Sequence, residues 1–141
     1  MTELMEALPL LLLKARENSL AYVRPILQDH GLSEPQWRVL HVLYHNPPLK
    51  AQRLAELSNI LSPSLSRILS RLDNDGLVLR NVSNADQRSV TLKLSAKGKR
   101  LCQRLLPKLA QRYQAMKDHS GSDQIEQLTR LLQAFIAEPI D

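Results

Sequence analysis

The central stretch Ser62-Pro-Ser-Leu-Ser-Arg-Ile-Leu-Ser-Arg-Leu-Asp-Asn-Asp-Gly76 reads as a helix with both ends marked. Ser62 is an N-cap residue, Pro63 suits the first helical position, and Gly76 supplies the stop after Asp75. Leu61, Leu65, Ile68, Leu69 and Leu72 fall within about 50° of one line on a wheel that steps 100° per residue. The opposite face carries Pro63, Ser66, Arg67, Ser70, Arg71 and Asn74. Serine is an indifferent helix former, because its hydroxyl competes for backbone hydrogen bonds. Four serines beside two arginines therefore call for a reason beyond folding. Just upstream, Lys50 to Ser58 reads as a short helix with Leu54, Ala55 and Leu57 as its apolar residues. Two helices joined by a tight turn, the second with a short-polar and arginine face, describe a helix-turn-helix.

Downstream the period changes from helix to strand. Leu77 to Val82 and Ser89 to Leu94 are strand-like, and in the second Val90, Leu92 and Leu94 alternate with Thr91 and Lys93. Ser83 to Arg88 is the turn between them. A hairpin placed directly after a recognition helix forms a wing, whose tip reaches toward an adjacent minor groove. Arg88 is the expected probe there, because a guanidinium suits the negative potential of a narrow groove, and Asp86 is placed to hold it by a bidentate pair.

Outside this segment both ends show long helical periodicity. Leu4 to about Asp29 is expected to form one helix, with Pro9 near its start and Pro25 near its end, closed by His30-Gly31. Ser33 caps a second helix, with Pro35 in its first turn and Trp37, Leu40, Leu43 and Tyr44 on one stripe; Asn46-Pro47-Pro48 ends it. Leu101, Leu105, Leu109, Tyr113 and Met116 step along a further helix in which Pro107 is expected to introduce a kink. After Ser120-Gly121-Ser122, Ile125, Leu128, Leu132 and Phe135 mark the last helix.

The fold expected is mainly α with a small β-hairpin wing, a winged helix-turn-helix flanked by helical arms. The 141 residues are one domain's worth of chain, and 43% apolar residues suffice for a core. Residues 1–46 and 101–141 supply the helical portion, and 47–100 the winged helix. A single cysteine, Cys102, excludes an internal disulfide framework and fits a reducing cytoplasm. The longest apolar run, Leu10 to Leu13, is far short of the roughly 20 residues that span a bilayer, and Glu3 and Glu6 stand where a signal peptide is basic. A cytoplasmic protein with no membrane partner is expected.

Charge separates the regions as clearly as period does. The whole chain carries a formal +5. Residues 47–100 hold ten Lys and Arg against four Asp and Glu, a net +6, whereas 1–46 is −1 and 101–141 is neutral. An excess confined to the helix-turn-helix and its hairpin points to nucleic acid.

The run Leu72-Asp-Asn-Asp-Gly-Leu-Val-Leu-Arg80, then Asp86-Gln-Arg88, then Val90-Thr-Leu-Lys-Leu-Ser-Ala-Lys-Gly98, resembles the winged-helix signature of MarR-family transcriptional regulators. The D-x-R and the closing Leu-Ser-x-x-Gly are its most specific parts, and the order of elements matches along nearly the whole chain. Ala15-Arg-Glu17, Arg24-Pro25 and Leu32-Ser-Glu-Pro-Gln-Trp-Arg38 are most similar, within the family, to regulators of homoprotocatechuate (hydroxyphenylacetate) degradation operons. The resemblance implies a homodimer whose first and last two helices interlock, with two winged helices on a palindromic operator of double-stranded DNA. It also implies release by a small molecule, often an aromatic acid, held between the dimer helices and the winged helix. Repression of an aromatic-acid catabolic operon follows by family habit.

Chemistry distributes the contacts. Ser62, Ser64 and the free amides at the recognition-helix start suit phosphates. Ser66, Arg67, Ser70 and Arg71 are the candidates for base edges. Lys50, Arg53, Lys93 and Lys97 suit salt-sensitive backbone contacts. For an aromatic carboxylate, Arg16 is the expected carboxylate partner, Trp37 the ring wall, and Arg38 or His41 the partner of the polar end. The plainer reading makes Trp37 a core residue and Arg16 an interhelical ion pair with a glutamate.

Four alternatives differ in kind. Cys102 as an oxidant sensor sits in the wrong helix and reads more readily as a small buried hydrophobe. His41 and His45, four apart on a helix, have no acidic or thiol partner nearby in sequence, so no metal is expected. No cofactor loop, nucleophile elbow or spaced carboxylate pair points to an enzyme. A basic helical adaptor for an acidic protein is the remaining alternative, and specific, salt-dependent DNA binding separates it from a regulator.

Overall fold

Proline and glycine punctuate this chain, and most element boundaries follow from them. The computed structural model describes residues 7–82 and 90–140. The chain gathers into two compact bodies, one formed by Ile26–Pro107 and the other by the segments before and after it.

The first helix, α1 (Leu8–Ala21), stops well short of Asp29, and a separate helix α2 (Arg24–Asp29) follows. A single helix from Leu4 is therefore corrected to two, and its expected beginning at Leu4 lies outside the described residues. Pro25 is the physical cause, since it has no N–H to donate to the carbonyl of Ala21 and its ring crowds that carbonyl. The amides of Tyr22 and Val23 instead close tighter bonds to Ser19 and Leu20, at 3.3 and 3.0 Å. Gly31 ends α2 at φ +69°, with Leu32 N–H donating to Leu27 and Gly31 N–H to Gln28, a Schellman closure.

Helix α3 (Glu34–Tyr44) opens with a full capping box. The Ser33 hydroxyl accepts from Gln36 N–H, and the Gln36 side chain accepts from Ser33 N–H. Its apolar stripe, Trp37, Val39, Leu40 and Leu43, is buried, while Tyr44 is half-buried. Asn46 to Pro48 then lead into β1 (Leu49–Lys50), a two-residue strand absent from the expected hairpin. β1 pairs antiparallel with β3 (Val90–Leu94), Leu49 opposite Leu92, and β3 pairs on its other side with β2 (Val78–Val82), Arg80 opposite Leu92. The wing is thus a three-stranded sheet in the order β1-β3-β2.

Between β1 and β2 lie α4 (Ala51–Ser58) and α5 (Ser62–Asn74). Lys50, expected inside the first of these, is its N-cap. Leu54 of α4, Leu65, Leu69 and Leu72 of α5, Leu77, Val78, Leu92 and Leu94 close over the α3 stripe to form the core. The first part of α6 (Ala96–Ser120) adds Leu101, Cys102 and Leu105. Helix α6 continues through Pro107.

The other body contains α1, the later turns of α6 and α7 (Ser122–Ala137). Its buried apolar side chains are Val23 and Leu109 among the described residues. Arg112 of α6 donates to the Tyr22 carbonyl at 2.9 Å and lies 5.5 Å over the Tyr22 ring. The same helices leave Leu10, Leu11, Leu13, Leu131, Phe135 and Ile136 exposed, Ile136 by 77%.

Candidate nucleic-acid interface

The turn between α4 and α5 depends on Asn59, which takes the left-handed conformation at φ 53°, ψ 50°. Asparagine tolerates this region better than most residues, so a three-residue connection needs no glycine. Ile60 N–H donates back to Ala55 and Asn59 N–H to Glu56, completing the α4 end. Arg38 then fastens the turn from outside. One edge of its guanidinium donates to both Glu34 carboxylate oxygens, at 3.0 and 2.9 Å. Its Nη1 donates to the carbonyls of Ser58 and Asn59, at 2.9 and 3.2 Å. This contact spans about twenty residues of sequence, and no local pattern announces it. It ties the turn before α5 to the start of α3.

Helix α5 begins one residue earlier than its cap chemistry suggests. Leu61, extended at φ −65° and ψ 144°, is the N-cap, and Ser62 is the first helical residue; this corrects Ser62 as the capping side chain. Ser62 through its carbonyl accepts from the Ser66 hydroxyl at 3.1 Å. Leu65, Leu69 and Leu72 are buried as expected and Ile68 is half-buried. Leu61, expected on the same stripe, is instead 80% exposed. Its extended backbone keeps it off the helical wheel that buries the others.

The opposite face of α5 is open. Ser66, Arg67, Ser70 and Arg71 are exposed, and Ser64 is half-buried. Arg67 makes no ion pair among the described residues. Arg71 pairs with Asp75 at 3.3 Å and Arg53 of α4 with Glu56 at 3.0 Å, all well exposed. Exposed pairs of this kind are worth a fraction of a kcal/mol, so both cations remain available to phosphate. Lys50 and Lys93 are exposed on the sheet. Lys97 has a structural use instead, donating to the Asp75 carbonyl at the end of α5 at 2.8 Å.

The closing Leu-Ser-x-x-Gly motif now has a mechanism. The Ser95 hydroxyl donates to the Gly76 carbonyl at 2.6 Å and accepts from Gly98 N–H at 3.0 Å, capping α6 while tying it to the end of α5. A Cβ on Gly98 would collide with the Leu77 carbonyl, so glycine is required for α6 to pass this close. The wing tip with Asp86 and Arg88 lies outside the described residues.

Of the effector candidates, Arg16 lies on α1, its guanidinium 3.8 Å from the carboxylate of its neighbour Glu17. Glu17 is held below the usual carboxylate range, first by the hydrogen bond and charge of Arg24 at 2.9 Å. Trp37 is 6% exposed and stacks on His41, ring centres 5.2 Å apart and planes within 11°. His45 meets the His41 ring edge-on at 4.6 Å. Burial, and then the charge of His45, hold His41 below its ordinary value. Cys102 is fully buried, and burial pushes its thiol up to about 11. Among the described residues, no three His, Cys, Asp or Glu gather closely enough for a metal ion, and no helix is long and apolar enough to cross a membrane.

A helix-turn-helix with an open serine and arginine face, followed by a sheet wing, defines a winged-helix regulator. The chain belongs to the MarR family, whose model matches residues 32–90. It is 38% identical over 132 residues to the homoprotocatechuate degradative operon repressor of Escherichia coli, covering 94% of this chain and 89% of that protein. Among solved structures it is similar to NadR in complex with 4-hydroxyphenylacetate (TM-score 0.83, 35% identity, covering 92% of this chain and 94% of that one). It is also similar to the transcriptional repressor CouR bound to a 23-mer DNA duplex (TM-score 0.77, 31% identity, covering 98% and 97%). The protein is therefore a MarR-family transcriptional regulator.

Proposed function

We propose that the chain acts as a homodimeric repressor that binds a palindromic operator and is released by a small aromatic carboxylate. The observation that carries the DNA reading is the α5 face, where Ser66, Ser70 and Arg71 flank an Arg67 with no ion pair among the described residues. That face belongs to the segment holding the net +6. In this reading Arg67 and Arg71 read base edges with Ser66 and Ser70, while Ser62, Ser64, Lys50 and Arg53 hold phosphates. Arg88 enters the minor groove, positioned by Asp86. Two-fold symmetry places the half-sites about 34 to 36 Å apart. The cytoplasm is the compartment in which this function operates.

The effector reading rests on residue chemistry and on the relatives. NadR binds 4-hydroxyphenylacetate, and the Escherichia coli relative represses a homoprotocatechuate operon. A ligand of this class needs a cation and an aromatic wall. Arg16 is the carboxylate partner and Trp37 the ring wall. Of the two residues considered for the polar end, His41 is favoured, because all three nitrogens of the Arg38 guanidinium already donate within the protein. Full burial of Cys102 speaks against thiol-based sensing.

A gel-shift titration against the DNA upstream of its own operon, repeated with hydroxylated phenylacetates, benzoates and cinnamates, tests both parts. Specific binding relieved by one of these classes supports the proposal. Sequence-blind binding overturns the operator reading, and an Arg16→Ala protein that keeps operator binding and full ligand response overturns the effector assignment.

A further inference from the structure

Leu61 is a large apolar side chain that the fold leaves in water. It is 80% exposed at the N-cap of α5, while the next residues of its intended stripe, Leu65 and Leu69, are 2% and 4% exposed. Its carbonyl starts the helix by accepting from Leu65 N–H at 2.9 Å, and that task needs no particular side chain. A polar cap residue at this position adds a hydrogen bond to the helix N-terminus, and leucine adds none. The side chain thus costs helix stability and gains no core burial.

Its position supplies the reason. Leu61 stands at the N-terminal end of the recognition helix, the end that a helix-turn-helix directs into the major groove, just before the phosphate-binding Ser62 and Ser64 and between one and two turns before the base-reading Ser66 and Arg67. Among the groups displayed on that groove floor, the C5-methyl of thymine alone is apolar and is read by apolar contact rather than by a hydrogen bond. We infer that Leu61 reads a thymine C5-methyl in each operator half-site, a specificity contact distinct from those of Arg67 and Arg71. The inference rests on the operator reading above. It makes the open leucine a means of excluding cytosine, which lacks the methyl and presents an amino group to the apolar side chain.

The experiment uses a duplex enriched from a random pool by the full-length wild-type protein. Each thymine of the half-site is replaced in turn by deoxyuridine, which removes one methyl and nothing else. Affinity is then measured by fluorescence anisotropy for the wild type and for Leu61→Ala. Burying one methyl corresponds to about a fourfold change in affinity per half-site, or roughly fifteenfold when both half-sites carry the replacement. The expected result is one position at which wild type loses that much and Leu61→Ala loses nothing further. Exposure of Leu61 means that Leu61→Ala keeps its thermal midpoint, which calorimetry checks. Wild-type binding insensitive to every replacement, or equal sensitivity in Leu61→Ala, overturns the inference while leaving the operator reading intact. Failure of the wild type to enrich any duplex overturns both.

Discussion

The two bodies of the chain use leucine-rich helices to opposite ends. In the body formed by Ile26–Pro107, apolar stripes from α3, α4, α5, β3 and the first turns of α6 meet one another, and Leu40, Leu54, Leu72, Leu92 and Leu105 are at most 1% exposed. In the other body, α1 carries a run of leucines and α7 an apolar stripe, yet Leu13, Leu131, Phe135 and Ile136 are between 56% and 77% exposed. The difference teaches that the first body comes close to saturating its apolar surface with its own residues, Leu61 at 80% exposure being the largest exception among the described residues, and the second does not. In the proposed homodimer, a second copy is what covers these side chains.

The comparison breaks most visibly at the unsaturated side. The double variant Leu131→Asp, Phe135→Asp is expected to halve the mass seen in sedimentation velocity and to weaken operator binding by about 100-fold or more, because two linked half-site contacts become one. An unchanged mass would remove the second copy from the account. On the saturated side, Leu65→Ala is expected to cost about 2 to 5 kcal/mol in denaturant unfolding, the range for a buried leucine whose neighbours cannot collapse. A loss below about 1 kcal/mol would mean that the first body is not close-packed around α5. Arg67→Ala acts on neither core nor arms. It is expected to leave unfolding unchanged and to weaken operator binding by the equivalent of about 1 to 3 kcal/mol, with relaxed base preference at its contact. An equal loss on operator and shuffled DNA would reduce Arg67 to a phosphate contact.

The smallest expected effect is a pH dependence set by His41. Its folded-state value lies below the ordinary 6.5, so between the two values the unfolded chain binds more protons than the folded one. Stability therefore falls as pH drops through about 6.5 and levels off below the folded-state value. His41→Phe is expected to flatten this part of the stability curve, read by urea titrations at a series of pH values. A curve identical to wild type would show that His41 is not held neutral by burial.

How much of this was legible in the sequence varies with the range of the interaction. Helix α5 and the strands β2 and β3 follow from period, proline and glycine, all of them local signals. The split between α1 and α2 is hidden in the sequence although Pro25 is plain there, because the apolar pattern runs on past the missing hydrogen bond. Strand β1 has two residues and no period to read; only its pairing with β3 makes it a strand. Arg38 was noticed for its charge and placed with the effector, but its hold on Ser58 and Asn59 is a tertiary contact. The phase of the apolar stripe puts Leu61 with the core, but its extended backbone at the cap leaves it off the helical wheel and in solvent. The Ser95 and Gly98 motif was recognised as a pattern, and its cause, the Gly76 and Leu77 carbonyls, became visible only in three dimensions.

The central claim is that the basic middle of the chain, net +6 over residues 47–100 with an open α5 face, reads DNA sequence. The most direct measurement is an anisotropy titration of the full-length protein on its selected duplex and on a shuffled duplex, each at low and physiological salt. The expected result is a preference for the selected duplex of about a thousandfold or more at physiological salt, with both affinities falling steeply as salt rises. Equal affinity for the two duplexes, or binding that salt does not change, would contradict it.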